Sequence, residues 1–179
     1  MLIVFSGLPG TGKTTIAQLL ARRCRATYVR IDTIEQALSP SMGEHEALGA
    51  KGYLVAYQIA KANLCLGAIV VADAVNPLTT VRETWRAVAD SAGARIVHVE
   101  LVCSDIHEHR RRVESRVADI PGHIQPSWDA VQQREYEPWS GERLVIDSAQ
   151  CSAEEAALAI FDALGLGRDE APVPGFISK

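Results

Sequence analysis

The sequence has little of several features that would assign it to common classes of protein. Aromatic residues make up 6% of the chain and are not interleaved with basic residues, which argues against a stacking surface for single-stranded nucleic acid. A net charge of −4 argues against binding that depends mainly on nucleic-acid phosphates, although it does not exclude a local basic groove. The apolar run at residues 68–72 is only long enough for a strand, so we expect no membrane-spanning segment.

Cysteine pairs and two familiar catalytic patterns are also absent. The four cysteines are scattered and include no C-x-x-C pair, which favours reduced, buried thiols in a cytoplasmic protein. No secretory signal is visible, because the first apolar run leads directly into a glycine-rich stretch. There is no H-E-x-x-H and no G-x-S-x-G, and His107 and His109 are spaced to point to different sides of a helix. We therefore expect hydrogen-bonded or solvated histidines, with neither a metal site nor an acyl-transfer serine.

The most informative stretch is residues 7–14, GLPGTGKT, which fits the phosphate-binding pattern G-x-x-x-x-G-K-[ST]. A strand-like run at residues 2–5 precedes it, and apolar residues at helical spacing follow it. Glycines let backbone N–H groups surround a phosphate at a helix N-terminus, Lys13 would reach the β- and γ-phosphates, and the Thr14 hydroxyl would bind Mg²⁺. The alternative is an ordinary glycine turn. The predicted ATP-binding residues here are Gly7, Pro9, Gly10, Thr11, Gly12, Lys13, Thr14 and Thr15.

Strand-like and helix-like segments alternate along the chain, as in a parallel sheet covered by helices on both faces. We predict strands at residues 2–5, 26–31, 68–72, 95–102 and 144–146. We predict helices after the glycine loop, from Asp32, at 46–66, from a capping box at 80–83 to 91, at 105–117, and from a capping box at 152–155 to 164. A break is predicted at residues 39–43. The length fits a single domain at residues 1–164, followed by a loosely ordered tail at 165–179.

Two aspartates follow predicted strands and therefore fall at one edge of a parallel sheet. Asp73 lies where open α/β sheets place ligand residues and could hold Mg²⁺ directly or through water; the alternative is a turn-forming residue before Asn76 and Pro77. Asp32 could orient a substrate hydroxyl and accept its proton, and it could also cap the next helix. The predicted metal ligands are thus Thr14 and Asp73, and Lys13 and Asp32 are predicted to be catalytic.

An arginine-rich helix is predicted after the fourth strand. Arg112 and Arg116 are four residues apart and are therefore expected on one helix face. Arginines from a mobile segment can neutralise charge on a transferring phosphoryl group, so both are predicted to be catalytic. The alternative is a solvated face paired with Glu108 and Glu114.

The segment at residues 118–141 does not fit the alternation of strands and helices, and it is rich in proline, glycine, tryptophan and charge. A segment of this length favours a lid, which together with the arginine helix would span about residues 105–141. The alternative is a surface excursion pinned by its two tryptophans.

These motifs together resemble the small P-loop kinases, a group that includes gluconate and shikimate kinases, chloramphenicol phosphotransferase, zeta toxins and the kinase domain of polynucleotide kinases. Residues 119–123 (DIPGH) and 134–139 (REYEPW) resemble a bacterial set described as predicted kinases or AAA-family ATPases. The resemblance covers nearly the whole chain, although the chain is too short for the helical lid domain and sensor elements of a true AAA ring ATPase.

The resemblance implies an α/β P-loop NTPase fold, a three-layer sandwich around a five-stranded parallel sheet of order 2-3-1-4-5. It implies that Asp32 binds or deprotonates the acceptor hydroxyl and that Arg112 and Arg116 are lid arginines. It also implies that the loop at residues 147–149, including Ser148, lies near the adenine of ATP.

These features predict an ATP- and Mg²⁺-dependent kinase that phosphorylates a hydroxyl of a small molecule in the cytoplasm, as a monomer or homodimer. One alternative is a polynucleotide 5′-kinase, which the acidic balance disfavours, and another is a zeta-like toxin kinase. From a different class, the chain could be an ATP-dependent switch that binds a partner and hydrolyses ATP slowly. No motif identifies the acceptor.

Overall fold

Five parallel strands form the centre of the molecule. The computed structural model describes residues 1–38 and 48–166. The strands are β1 (Leu2–Ser6), β2 (Thr27–Arg30), β3 (Val70–Asp73), β4 (Ile96–Val102) and β5 (Leu144–Asp147). They pair in the order β2-β3-β1-β4-β5, and every pairing is parallel. The predicted α/β class and the predicted order 2-3-1-4-5 are therefore confirmed.

Helices cover both faces of the sheet. They are α1 (Lys13–Arg23), α2 (Ile31–Leu38), α3 (Leu48–Cys65), α4 (Thr79–Ser91), α5 (Ile106–Ser115), α6 (Trp128–Gln132) and α7 (Ala153–Ala163). Successive residues of β1 point to opposite faces: Val4 packs in one core with α3 and α4, and Ile3 packs in the other with α1 and α7. All five residues of β1 are buried, which explains its continuous apolar sequence. This double burial fixes the strand that carries the glycine loop.

The two predicted capping boxes have different outcomes. The box at Ser152 and Glu155 is confirmed, because each side chain accepts a hydrogen bond from the backbone N–H of the other. The box at residues 80–83 is wrong, because α4 begins at Thr79 and has no side-chain cap at Leu78. A carboxylate from far along the chain replaces it: Glu137 Oε2 accepts a 2.6 Å hydrogen bond from the Thr79 N–H. The first N–H groups of a helix have no partner within the helix. The Thr79 N–H finds its partner in Glu137, which is distant in the sequence.

Several predicted boundaries also shift. The chain turns directly from β2 into α2 at Ile31, so Asp32 lies in the first turn of α2 and does not cap it. Helix α5 ends at Ser115, two residues before the predicted end at residue 117. The predicted break at residues 39–43, and the predicted tail beyond residue 166, lie outside the described residues.

All four cysteines are free thiols, as predicted from their spacing. The expectation that they are buried is wrong for Cys65, which is exposed because it is the last residue of α3, and the other three are only partly buried. In the described part of the chain, no helix has both the length and the apolar composition needed to cross a bilayer.

Candidate active site

A polar cleft of about 650 Å³ lies at the carboxyl edge of the sheet. Its floor is the glycine loop and the ends of β2 and β3, and its walls come from the end of α5 and from residues 117–134. The predicted site residues that line it are Pro9, Gly10, Gly12, Lys13, Thr14, Thr15, Asp32, Asp73, Arg112 and Arg116. The cleft therefore unites the glycine loop with both aspartates and both arginines.

The glycine loop has the backbone geometry of an anion site. Gly10 and Gly12 have φ values of 87° and 83°, a region that side chains other than glycine rarely adopt. Helix α1 begins at Lys13 with no side-chain cap and no acidic residue in its first turn. Its first N–H groups and the positive end of the helix dipole are therefore available to a phosphate.

Two predicted loop residues lie beneath the cleft and do not line it. Thr11 is buried, and its hydroxyl donates a 2.9 Å hydrogen bond to the Leu8 carbonyl. Gly7 packs so tightly that a Cβ there would lie 2.3 Å from the Leu101 carbonyl oxygen. Both residues therefore maintain the conformation of the loop without lining the cleft.

Lys13 carries a charge that makes no ion pair within residues 1–38 and 48–166. Its side chain is buried, and Nζ donates a 2.8 Å hydrogen bond to a backbone carbonyl, that of Leu8. Burial lowers the pKa of Lys13 to about 8, although the charges of Asp73 and Asp32 act in the opposite direction. A phosphate group bound to the loop would provide the counter-ion for Lys13.

Asp73 ends β3 beside the glycine loop, opposite Phe5 of β1 and Arg30 of β2. It is 2% exposed, and its Oδ2 accepts a 2.7 Å hydrogen bond from the Tyr28 hydroxyl. No group of three or more metal-ligating side chains occurs among the described residues. Mg²⁺ does not need one, because it is usually held by one or two carboxylates together with substrate phosphates and water. The Thr14 hydroxyl and the Asp73 carboxylate in one cleft fit that requirement.

Asp32 lies on the opposite side of Asp73 from the glycine loop, because β3 separates β2 from β1. Its carboxylate is about one-third exposed, and Oδ2 lies 3.5 Å from Nη2 of Arg30. The neighbouring Glu35 also lines the cleft, and burial, together with the charge of Asp32, raises the pKa of Glu35. A partly exposed carboxylate that lines the cleft is suited to contacting a substrate group.

The two predicted arginines point to different parts of the site. Arg112 binds Glu108 through Nε and Ser148 through Nη1 and Nη2, at 2.7, 2.9 and 3.0 Å, so it joins α5 to the loop after β5. Arg116 lies beyond the last helical residue, with an extended ψ of 140°. Arg116 is nevertheless the C-cap residue of α5, and its N–H bonds to the Arg112 carbonyl one turn earlier, so both side chains start from the same side of the helix end and line one cleft. The catalytic role of both arginines stays a prediction.

Ser148 is buried and does not line the cleft. Its hydroxyl accepts a hydrogen bond from Arg112 and donates one to the Val102 carbonyl. Ser148 is nevertheless next to the glycine loop, since a Cβ at Gly12 would lie 3.9 Å from the Cβ of Ser148. Its role near the adenine stays a prediction.

Sequence reasoning missed three residues that organise the site. Arg30 has a 9% exposed side chain and binds Asp119 of the irregular segment through both Nη1 and Nη2. Tyr28 holds Asp73, and the buried His109 has its Nε2 2.8 Å from the Pro9 carbonyl of the glycine loop. The sequence contained a signal for Arg30: a charge at the end of an apolar strand, two residues before Asp32, falls on the same edge of the sheet.

The sheet order and the strand–loop–helix unit define the fold of the P-loop kinases, as the sequence predicted. The chain belongs to the AAA domain family, whose family model matches residues 2–136. A search of the curated proteins finds no match.

Solved structures with this fold include several kinases. The APS kinase CysC of Mycobacterium tuberculosis, solved with AMPPNP and APS, is 21% identical, with 92% of this chain and 96% of that chain covered and a TM-score of 0.68. Kti12 of Chaetomium thermophilum, solved with ADP-AlF3, is 21% identical, with 92% and 97% covered and a TM-score of 0.69. A gluconokinase of Sinorhizobium meliloti 1021 is 21% identical, with 93% and 91% covered and a TM-score of 0.60. At these identities the likeness establishes a shared fold.

Proposed function

We propose that this protein is an ATP- and Mg²⁺-dependent kinase that phosphorylates a hydroxyl of a small molecule. One observation carries the proposal: a single cleft contains the glycine loop with Lys13 and Thr14, and also two carboxylates, Asp73 and Asp32, at the ends of adjacent strands. Loop residues can bind a phosphate donor, and a separate carboxylate can activate an acceptor. The four free thiols fit a cytoplasmic protein.

The donor half of the site is the glycine loop. Its backbone N–H groups and Lys13 bind the phosphates, while Thr14 and Asp73 hold Mg²⁺. ATP with Mg²⁺ supplies the transferable phosphoryl group and neutralises part of its charge. Arg112, held by Glu108 and Ser148, adds positive charge at this side of the cleft. Such fixed charges stabilise a phosphoryl transition state without having to reorganise.

The acceptor half is built around Asp32. Its carboxylate orients the acceptor hydroxyl and takes its proton as the new P–O bond forms and the bond between the γ-phosphorus and the bridging oxygen to the β-phosphate breaks, which releases ADP. Positioning a hydroxyl in line with the phosphorus can contribute more than the proton transfer itself. General-base assistance of this kind typically contributes about 10²- to 10⁴-fold.

A labelled γ-phosphate transfer screen against hydroxyl compounds tests the proposal. The wild-type protein is expected to label at least one compound and to require Mg²⁺. Lys13→Ala should abolish both transfer and ATP binding, whereas Asp32→Asn should lower transfer about 10²- to 10⁴-fold and leave ATP binding intact. Asp90→Asn, at an exposed position on α4, is the matched control. ATP hydrolysis with no labelled product from any compound would instead favour a nucleotide-dependent switch. Near-normal transfer by Asp32→Asn would remove the base role.

A further inference from the structure

Two arginines beside Asp32 present buried nitrogen atoms that have no hydrogen-bond partner among the described residues. These atoms are Nε of Arg30 and both Nε and Nη2 of Arg116. Arg116 also makes no ion pair in the described part of the chain, although it lines the cleft. A buried charged donor without a partner is costly, because it has lost water and gained nothing in return. An oxoanion bound in the cleft would provide the missing hydrogen-bond partner.

Arg112 and Arg30 lie on opposite sides of the cleft. Arg112 is turned towards the loop after β5, which lies on the far side of β1 from β2. Arg30 ends β2, at the opposite edge of the sheet. Burial lowers the pKa of Arg116, and the charges that act on it are those of Asp32, Arg30 and Asp119, while the charge of Arg116 in turn lowers the pKa of Lys13. Arg116 therefore lies in the cleft between Lys13 and the pair formed by Arg30 and Asp32, where it can face a group on the acceptor.

Arg30 is held in place before any ligand arrives. Asp119 occupies its Nη1 and Nη2, and Asp32 lies 3.5 Å from its Nη2. Burial acts to lower the pKa of Arg30, but the hydrogen bonds and charge of Asp119, with the charges of Asp32 and Asp73, raise it overall, so the guanidinium stays charged. A fixed guanidinium loses little conformational entropy on binding, and its planar donors suit carboxylate and phosphate groups.

The residues that line the cleft further limit the chemical class of the acceptor. Among the described residues that line the cleft there is no phenylalanine, tyrosine or tryptophan. A nucleobase or another flat aromatic group would therefore find the imidazole of His123 as the one aromatic ring among these lining residues. The charged wall around Arg30, Arg116 and Asp32 suits a compact, highly polar compound.

We propose that Arg30 and Arg116 form an oxoanion subsite for the acceptor, and that the acceptor is a small, non-aromatic hydroxyl compound bearing a carboxylate or a phosphate group. The inference rests on the proposed kinase function and names the substrate class of the same site. The oxoanion is held by the two guanidiniums, which places a hydroxyl of the same molecule against Asp32. Arg116 is thereby a specificity-determining residue for the acceptor.

Matched pairs of acids and neutral analogues test the subsite directly. The full-length protein with Mg²⁺ and AMPPNP is titrated calorimetrically with glycerate and glyceramide, gluconate and sorbitol, and glycerol 3-phosphate and glycerol. At least one acid is expected to bind tenfold or more tightly than its neutral partner. The carboxylate and phosphate pairs show which oxoanion the subsite prefers. Thymidine, as an aromatic neutral compound, is expected not to bind at the acceptor side.

Variants at position 116 test whether Arg116 causes the preference for acids over their neutral partners. Its side chain lies beyond the end of α5 and is partly exposed, so its replacement leaves the core intact. Arg116→Gln is expected to weaken binding of the acid about 10- to 100-fold and to leave AMPPNP affinity unchanged. Arg116→Lys should recover part of that loss. Arg111→Gln is the control, because Arg111 is 66% exposed on the same helix and lines none of the cleft.

The outcomes separate this inference from the kinase proposal. Binding of neutral partners as tight as the acids, no binding of any acid, or loss of AMPPNP affinity in Arg116→Gln with acid binding retained would each overturn the subsite. If an acid binds in an Arg116-dependent manner but receives no phosphate from ATP, the subsite stands and the kinase proposal fails. If neutral compounds are phosphorylated in preference to acids, the kinase proposal stands and the subsite fails.

Discussion

The hydroxyl of Tyr28 donates a 2.7 Å hydrogen bond to Oδ2 of Asp73, across the pairing of β2 with β3. Burial, together with the charge and hydrogen bond of Asp73, raises the pKa of Tyr28, so the phenol remains a donor at all ordinary pH values. The bond fixes one oxygen of a carboxylate that is 2% exposed and lines the cleft. Tyr28 is thus a positioning residue for the proposed Mg²⁺ site.

Tyr28→Phe is expected to weaken Mg²⁺ binding about 10- to 100-fold, the usual effect of removing a partner that orients a metal ligand. The measurement is the Mg²⁺ concentration that half-saturates the binding of a fluorescent ATP analogue. Tyr57→Phe is the matched control, because Tyr57 does not line the cleft and its hydroxyl donates to a backbone carbonyl, that of Val81, at 3.4 Å. Equal Mg²⁺ requirements in the two variants would show that Asp73 does not need Tyr28.

Lys13→Met is expected to make the nucleotide-free protein more stable at pH 7. Burial lowers the pKa of Lys13 from 10.5 to about 8 in the folded state. Between those values the unfolded chain binds more protons than the folded protein, so stability rises with pH in this window. The cost of burying the charge is therefore fully present below about pH 8, and it is at most about 3 kcal/mol.

Urea unfolding at pH 7, 9 and 10 measures this effect. The stability advantage of Lys13→Met over the wild type should be largest at pH 7 and should shrink as the pH rises from about 8 towards 10.5. Lys61→Met, at an exposed position on α3, should show no comparable advantage. A Lys13→Met protein that is less stable than the wild type at pH 7 would mean that the buried charge has a partner within the chain.

Features that depend on neighbours in the sequence could be predicted well. The glycine loop, its flanking strand and helix, and the capping box at Ser152 each occupy a few consecutive residues whose backbone requirements are local. The position of Asp73 in the cleft could be predicted because open parallel sheets place ligand residues at the carboxyl ends of their strands. The strand order came from the resemblance to known kinases, since nothing in local periodicity orders five strands.

Features that depend on distant partners could not be predicted. Glu137 caps α4 from 58 residues away, and Asp119 binds Arg30 from 89 residues away. Helical spacing correctly places Arg116 one turn beyond Arg112, at the C-cap of α5. The sequence could not show that Asp32, Arg30 and Asp119, from distant parts of the chain, act on its guanidinium. The class of acceptor could therefore not be predicted from the sequence.

Asn76 is expected to be among the residues most sensitive to substitution outside the cleft. It is fully buried with a φ of 48°, Nδ2 donates to the Phe5 carbonyl at 2.8 Å, and Oδ1 accepts from Trp85 Nε1 at 3.0 Å. Its own carbonyl accepts a 2.9 Å hydrogen bond from Nε of Arg82. The side chain therefore ties the loop after β3 to β1 and α4.

Asn76→Gly removes the side-chain hydrogen bonds but tolerates the backbone conformation, and it should cost about 2 to 4 kcal/mol of unfolding free energy. Asn76→Ala loses the same bonds and adds the strain of a Cβ at positive φ, about 1 kcal/mol more. Urea denaturation of both variants measures the difference. Equal stability of the two would show that the backbone at residue 76 relaxes when the side chain is lost.

Gly10→Ala is expected to disturb helix α5 as well as the glycine loop. A Cβ at Gly10 would lie 2.5 Å from Cγ2 of Val113 and 3.2 Å from Cδ2 of His109, both on α5. Gly93→Ala separates this clash from simple backbone strain, because Gly93 also has a positive φ of 60° but no atom lies within 4 Å of its Cβ position.

Gly93→Ala should therefore cost only about 1 kcal/mol and leave nucleotide binding unchanged. Gly10→Ala should cost more and should weaken the binding of an ATP analogue, because displacement of α5 also moves Arg112. The double variant Gly10→Ala/Val113→Ala relieves the contact, so its unfolding free energy should exceed the value expected from adding the two single effects by about 1 kcal/mol. Strict additivity in this cycle would mean that the conformation of the loop, and not its packing against α5, is what requires glycine at position 10.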